Sequence, residues 1–316
     1  MAGFAEDELA GLRRELIAFC YQMLGSPFDA EDAGHDVLER AWRARDAFDP
    51  DRASLKTWCY RIARNVCIDR LRDAPRRPLP RDLQDPGLEV GAPLVPALDV
   101  PWLMPAPTEW CAASEVEASA ERSQEVRLAV TAMLQTLPPR QRGVFVLRDL
   151  LGCSAEETAV VLEMTVASVN SALQRAREGL RQRLPRRRAL AAAAVERYAR
   201  AIERADVVAL AAAVSDDVVF EMPPVPDWSI GRDTYRDFMA FLFEWRGTRW
   251  RTRAVSANGQ HGILLFRVVD GEPQPHSLHV LDGARGDEHG GDVGHIVVFQ
   301  DPVLFAWFEN AAAGDR

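Results

Sequence analysis

The chain has 316 residues, 47% of them hydrophobic, with 38 lysines and arginines against 47 aspartates and glutamates and a formal net charge of −9. It is long enough for two or three domains with proper cores, and neither a signal core near the start nor a run of about 18 apolar residues is found, so no membrane span and a cytoplasmic location are expected. Five cysteines (Cys20, Cys59, Cys67, Cys111, Cys153) form no Cys-x-x-Cys pair and are odd in number, which argues against a zinc site or a disulfide framework.

The first block, residues 6–74, reads as helices at 6–24, 30–48 and 55–72, separated by Gly25-Ser26-Pro27 and Asp49-Pro50-Asp51. In the second helix Asp29, Glu31, Asp32, Asp36 and Glu39 border an apolar set of Val37, Leu38, Ala41 and Trp42. DNA would repel this face; its counterpart is a basic protein surface, or only water. The third helix separates at about 100° per residue into Leu55, Cys59, Ile62, Ala63 and Val66 on one side and Thr57, Arg61, Arg64, Asn65 and Arg72 on the other. Trp58 lies at the boundary with Tyr60 nearby. A cationic stripe with aromatics holds unstacked bases by charge and stacking; a solvated basic face with structural aromatics fits the same pattern.

Residues 75–114 are dense in proline from Pro75 to Pro107, which cannot sustain a helix and predicts an extended or disordered linker. Within it, Trp102 and Leu103 read either as a docking point or as an incidental exposed pair.

The second block, 115–186, carries an upstream helix with Val126, Ala129, Val130, Met133 and Leu134, then Pro138-Pro139 opening the next helix, then a helix-turn-helix. Ser154 caps the first of its helices with Glu157 returning the bond, and Thr165 caps the second with Met164 and Val169 as the hydrophobic staple. Val169, Leu173, Ala176 and Leu180 share the buried face and leave Ser168, Asn170, Ser171, Gln174 and Arg175 outward, followed by Arg177, Arg181 and Arg183. A major-groove reader needs this order: short polar groups for base edges at the helix start, guanidinium groups further along for phosphates. A plain amphipathic hairpin with a solvated basic face is the alternative.

The third block, 190–312, is an α+β domain: an alanine-rich helix, strands at 218–222, 250–257, 263–269, 277–281 and 295–299, and helices at 234–245 and 302–310. Its aromatics, among them Trp228, Phe238, Phe241, Phe243, Trp245, Trp250, Phe266 and Phe299, either fill a core or line a concave sheet. Five of the six histidines lie here, and Glu221 or Asp233 could pair with one as acid and base. The hydrophilic run 282–292 reads as a solvated loop or, less economically, as metal-binding.

Charge is segregated along the chain. Residues 56–81 and 140–188 are basic while acidic groups gather near the start, in the linker and in the last third, so separate segments meet separate partners.

An acidic helix, a basic aromatic helix, a flexible linker and a helix-turn-helix, in this order, resemble the bacterial extracytoplasmic-function (ECF) sigma factors. The resembling residues are Asp29 to Asp32, Leu38 to Ala44, Ser54 to Asn65, Asp69 to Arg72, Leu137 to Arg142 and Val169 to Arg177. The third block is similar to the SnoaL-like cone fold that a subset of that family carries, through Met222-Pro223-Pro224, Trp228, Gly231-Arg232, the run Phe299 to Phe305, and Pro101-Trp102-Leu103 in the linker. The resemblance implies a multidomain fold of two all-α helical domains, sigma region 2 at 6–74 and region 4 at 115–186, joined by the linker 75–114 and followed by an α+β cone domain at 190–312.

In functional terms it implies that Asp29, Glu31, Asp32, Asp36 and Glu39 dock on the β′ clamp helices of core RNA polymerase. The set Thr57, Trp58, Arg61, Arg64, Asn65 and Arg72 would read and help melt the minus-10 element, holding the non-template strand. Ser168, Asn170, Ser171, Gln174, Arg175 and Arg177 would read the minus-35 duplex, with region 4 against the β flap. No cofactor, metal or catalytic residue is implied. The cone domain would act in cis, packing on the sigma regions and on Trp102 and Leu103. Where many sigma factors have lysine-serine-arginine in the recognition helix this chain has Asn170-Ser171-Ala172, so base preference does not carry over. A polymerase-independent helix-turn-helix regulator with a ligand-binding domain, and a cyclase-type enzyme fused to a DNA-binding module, are the competing functions.

Overall fold

The turn at Gly25-Ser26-Pro27 shows how local chemistry sets the first helices. Helix α1 (Glu6–Gly11) is followed by α2 (Arg13–Leu24), which stops at Gly25, whose φ of 72° is a left-handed conformation that glycine reaches without a Cβ penalty. Ser26 then caps α3 (Pro27–Arg43): its hydroxyl accepts the Asp29 N–H at 3.3 Å, and Pro27 stands at the first helical position. A 3-10 turn, Arg45–Ala47, follows, and α4 (Leu55–Arg72) starts where Ser54 Oγ accepts the Thr57 N–H at 3.1 Å.

The computed structural model describes residues 4–72, 75–111, 127–183, 190–284 and 291–313. Val126, residues 115–125, the side chain of Arg183 and most of the hydrophilic run at 285–290 lie outside the described residues. In the second block, α5 (Leu128–Leu134) is followed by α6 (Pro139–Phe145), which runs into a π-helical turn at Val146–Leu150, then α7 (Ala155–Leu162) and α8 (Val166–Arg183).

The two helical blocks, separate in sequence, form one compact unit made of residues up to Arg77 and residues from Leu103 to the end of α8. A single hydrophobic core joins them: Phe19, Tyr21 and Met23 of α2 and Cys59, Tyr60 and Ala63 of α4 share it with Val144, Leu147, Leu162 and Leu173. Each large apolar side chain so buried contributes about 1.5–3 kcal/mol. A polar anchor crosses the same junction. Arg142, 4% exposed, donates to the Met23 carbonyl, to Gln135 Oε1 at 2.8 Å and to the Gln135 carbonyl at 3.0 Å. Burial lowers its pKa to about 10, so it keeps its charge. All five cysteines are buried and free, and burial pushes the Cys59 thiol up to about 12 and Cys153 up to about 11, so both stay protonated packing groups.

The second unit holds linker residues Pro78–Trp102 and the third block. Helices α9 (Ala192–Glu203), α10 (Val207–Ala212) and α11 (Arg232–Arg246) accompany a six-stranded sheet, and α12 (Pro302–Ala313) follows it. The strands are β1 (Val214–Met222), β2 (Val225–Ile230), β3 (Trp250–Ala257), β4 (Gln260–Val269), β5 (Glu272–Gly283) and β6 (Val293–Phe299), in the order β2-β1-β6-β5-β4-β3. Only the β1-β6 pair is parallel. Strand β2 leaves no alternation in the sequence, because Pro226 and the preceding Pro223-Pro224 mask it.

Period-two alternation sends Val218, Phe220 and Met222 of β1 into a core with Tyr198, Tyr235, Phe238 and Ile296. Most of the aromatics are core, but Phe241 and Trp245 stack on one another with Trp245 more than half exposed. A buried polar chain threads this core: Tyr235 donates to the Tyr198 hydroxyl at 2.8 Å, and that hydroxyl lies 3.0 Å from His279 Nδ1.

The linker, expected to be extended or disordered, is extended and ordered over 75–111, with 3-10 turns at Pro80–Asp82 and Thr108–Trp110. Hydrogen bonds to β1 and β2 hold its first part. Trp228 Nε1 donates to the Gln84 carbonyl at 2.8 Å, the Trp228 carbonyl accepts the Gly87 and Leu88 amides at 3.0 and 3.1 Å, and the Ala97 amide donates to the Pro224 carbonyl at 2.9 Å.

Candidate nucleic-acid interface

In the helix-turn-helix both helix starts are built from local bonds. Ser154 and Glu157 exchange reciprocal bonds at 2.7 and 3.0 Å, and Thr165 Oγ1 accepts the Ser168 amide at 3.1 Å. Val169, Ala172, Leu173, Ala176 and Leu180 are buried, which fixes the roll of α8 and leaves Ser168, Asn170, Ser171, Gln174 and Arg175 in solvent. The Ser168 hydroxyl accepts from Thr165 Oγ1 at 2.9 Å, so it is partly committed to the cap. Arg177 is also exposed, yet its guanidinium grips Asp149 of the π-helical turn with two bonds of 2.8 and 2.6 Å. That bidentate pair ties α8 to its scaffold.

The basic face of α4 has a different setting. Thr57 is buried, with its hydroxyl 2.9 Å from Ser54 Oγ, and Trp58 is half-buried against Phe4 and Phe48 at ring distances of 5.7 and 5.4 Å. Arg61 and Arg64 reach Glu163 at 3.6 and 3.3 Å. Glu163 is the turn residue between α7 and α8, in a left-handed conformation with φ 53°. The hydrogen bond from Arg64 and the charges of Arg64 and Arg61 hold its carboxyl below the usual range. Arg64 also donates to Asn65 Oδ1 at 2.6 Å, and Arg72 pairs with Asp69 at 2.9 Å; Asn65 and Arg72 are exposed. No local sequence signal marks Glu163 as the partner of α4, because a contact nearly a hundred residues apart leaves no periodicity.

The acidic face of α3 carries ion pairs from its own unit. Asp29 pairs with Arg77, Glu31 with Arg13 at 3.2 Å, Asp36 with Arg70 at 2.6 Å and Glu39 with Arg43 at 2.6 Å, while Asp32 stands exposed. Such surface pairs are worth about 0–1 kcal/mol each and exchange readily for another cationic partner.

The two linker residues fall on either side of a boundary. Trp102 belongs to the sheet-bearing unit, with its indole donating to the Ala97 carbonyl at 2.9 Å. Leu103 begins the helical unit and is fully buried; a Cβ on Gly25 would come within 3.0 Å of its Cδ1. From there the chain follows α2, where Tyr21 donates to the Met104 carbonyl at 2.9 Å.

In the sheet-bearing unit Glu221 does find a histidine: its Oε1 accepts from His295 Nε2 at 2.6 Å. Asp233 instead pairs with Arg236 at 2.7 Å. The Arg81 amide donates to Glu221 Oε2 at 3.0 Å, and Arg81 Nε lies 3.5 Å from Oε1. Among the described residues no group of three or more His, Cys, Asp or Glu is placed to hold a metal ion, and no helix is long and apolar enough to cross a membrane.

Comparison with known proteins assigns the blocks. Residues 10–77 match Sigma-70 region 2, residues 127–180 match Sigma-70 region 4, and residues 195–301 match the SnoaL-like domain. The chain is 34% identical over 308 residues to the ECF RNA polymerase sigma factor SigG of Mycobacterium tuberculosis, covering 94% of this chain and 81% of that relative. Over 155 residues it is 31% identical to the ECF RNA polymerase sigma-E factor of Escherichia coli, covering 48% of this chain and 72% of that one. The crystal structure of the extracytoplasmic function sigma factor SigJ of M. tuberculosis shares the fold, with a TM-score of 0.60 at 21% identity, covering 96% of this chain and 99% of the other. The three domain matches, together with 34% identity over 94% of the chain, place it in the family of ECF RNA polymerase sigma factors, in a form that carries a C-terminal SnoaL-like domain.

Proposed function

We propose that the chain docks on the β′ clamp helices of core RNA polymerase through the α3 face that carries Asp32, with Asp29, Glu31, Asp36 and Glu39 exchanging their present arginine partners for those of the clamp. Region 4 rests on the β flap and reads the minus-35 duplex with Asn170, Ser171, Gln174 and Arg175, steadied by Ser168 and Arg177. The α4 residues Trp58, Arg61, Arg64, Asn65 and Arg72, with Thr57 supporting them from beneath, engage the minus-10 element and its displaced strand. The observation that carries this reading is the α8 face: five short or basic polar residues in solvent on a helix whose roll is fixed by five buried ones.

The SnoaL-like unit acts in cis. Its support is the division of the linker, whose residues Pro78–Trp102 belong to that unit while Leu103 onward belongs to the helical one. Covalent tethering then supplies a high effective concentration. Co-purification with core polymerase and transcription in vitro from a promoter library test the assignment. Polymerase-dependent initiation at a defined promoter class is expected; binding to promoter DNA with no gain from polymerase would overturn it. Truncation after Arg188 tests the cis role, and unchanged activity and core affinity would refute it.

A further inference from the structure

We propose that Glu221 and His295 form a receptor site for the chain's own linker, held here by Arg81 and suited to an extended peptide that offers a backbone amide and a guanidinium together. Glu221 sits on β1 with no solvent exposure, on the sheet face opposite Phe220. A carboxylate so placed is costly unless its oxygens are satisfied and its charge is opposed. Two of its partners come from one linker residue: the Arg81 amide on Oε2 at 3.0 Å and the Arg81 guanidinium 3.5 Å from Oε1. The third is the His295 ring, two residues along β6 from the Val297 that pairs with Glu221, so the sheet holds the imidazole against Oε1 at 2.6 Å. Burial alone would raise the Glu221 carboxyl, but Arg81 and His295 outweigh it and hold the group below the usual range, which keeps it ionised toward the linker.

A carboxylate beside an imidazole is the equipment of an acid-base site. Here both Glu221 oxygens are engaged by the linker residue Arg81, with Leu79 buried two residues before it. Other linker contacts on this unit are the Gln84 side-chain amide donating to Asp227 Oδ1 at 2.8 Å and bonds to backbone carbonyls and the indole at Trp228 and Pro224. Glu221 supplies the buried ion pair on this stretch, whereas the Gln84–Asp227 bond is exposed and pairs a neutral amide with a carboxylate. Its consequence for transcription rests on the sigma-factor reading above. Anchoring Pro78–Trp102 withholds the roughly 85 Å that 25 extended residues would span between the two promoter-reading blocks.

The test is hydrogen exchange on the full chain, comparing wild type with Glu221→Gln, Arg81→Ala and the double variant. The amides of 78–88 are expected to exchange about tenfold faster in each single variant, and no faster in the double variant, because both remove one interaction. Protection in β5 and β6 reports that the sheet is intact. Should Glu221→Gln loosen the sheet, Arg81→Ala, which alters the linker alone, decides. Unchanged exchange at 78–88 in Arg81→Ala, or additive effects in the double variant, would overturn the receptor. Transcription with core polymerase is measured on the same proteins. A released linker with unaltered promoter output leaves the receptor standing and removes the cis-control reading, whereas a wild-type chain inactive with polymerase counts against the sigma assignment alone.

Discussion

Helices α4 and α8 are both long, basic and amphipathic, yet the protein treats them differently. The outward residues of α8, from Ser168 to Arg175, face solvent, and Arg177 is turned back on Asp149. On α4 the corresponding groups are committed: Thr57 is buried, Trp58 is packed among aromatics, and Arg61 and Arg64 hold Glu163 from the turn that precedes α8. A helix wheel predicts which side chains share a face, but the fold decides whether that face is available. In this structure the α8 candidates are presented, and two of the six α4 candidates, Arg61 and Arg64, are answered by the turn that precedes α8.

The largest expected way to break this contrast is Arg142→Ala. It leaves the Met23 carbonyl and Gln135 without their buried cationic partner, and should destabilise the helical unit by about 3–5 kcal/mol, read from the shift of its urea midpoint. A loss under about 1 kcal/mol would mean that the apolar core alone joins the two helical blocks.

Acid should act on the other unit. Burial lowers His279 to about 3 and His276 to about 4 from an ordinary 6.5, with the Arg246 and Arg267 charges adding to the effect at His276. The unfolded chain then binds the protons that the folded chain refuses, so stability is full above pH 6.5 and falls as pH drops toward 4. The slope is about 1.4 kcal/mol per pH unit for each fully buried histidine. His279→Phe should flatten it in pH-dependent denaturation, and an unchanged slope would discount this origin.

On α8, Arg175→Ala should weaken duplex binding about tenfold on all sequences and reduce its salt slope by about 1, whereas Asn170→Ala should change preference by about 1–3 kcal/mol at one or two base pairs. Binding isotherms on a sequence library at several salt concentrations separate the two, and identical profiles would erase the distinction drawn along the helix. Reversing Asp32 and Asp36 to lysine should weaken core-polymerase affinity about tenfold, since the docking face would then carry its partner's charge; competition binding measures this. The smallest effect belongs to Glu163→Gln. Removing an exposed pair should barely alter stability while raising affinity for a single-stranded minus-10 oligonucleotide about threefold, and an unchanged affinity would show that Arg61 and Arg64 are already available.

What the sequence disclosed follows the range of the interactions involved. The helix-turn-helix was legible because Ser154, Glu157 and Thr165 act within one turn, and α4 because its apolar spacing is continuous. Strand β2 was not, since Pro226 breaks the alternation a strand reader needs. The order of the linker was hidden for a related reason: proline density forbids helix but says nothing about the carbonyls of Trp228 and Pro224 that wait elsewhere in the chain. Glu221 was recognisable as an acid near histidines, whereas its choice of His295 and Arg81 depends on sheet register. The pairing of α4 with Glu163 likewise depends on a tertiary contact, so a reading of faces overstated how much of α4 is exposed.

The core shared by the two helical blocks has a thermodynamic consequence for promoter recognition. Elements centred near minus 10 and minus 35 lie about 25 base pairs apart, or about 85 Å of duplex at 3.4 Å per pair. A compact unit of roughly 160 residues has a radius of gyration of roughly 15 Å. On the proposed reading, engagement of both elements at once requires the blocks to part, and polymerase selects the parted state. If one molecule in about a hundred is parted, the apparent dissociation constant is about a hundredfold weaker than the intrinsic one. Substitutions that loosen this core should therefore bind polymerase more tightly even as they melt earlier, an inverse relation between affinity and stability across a single set of variants.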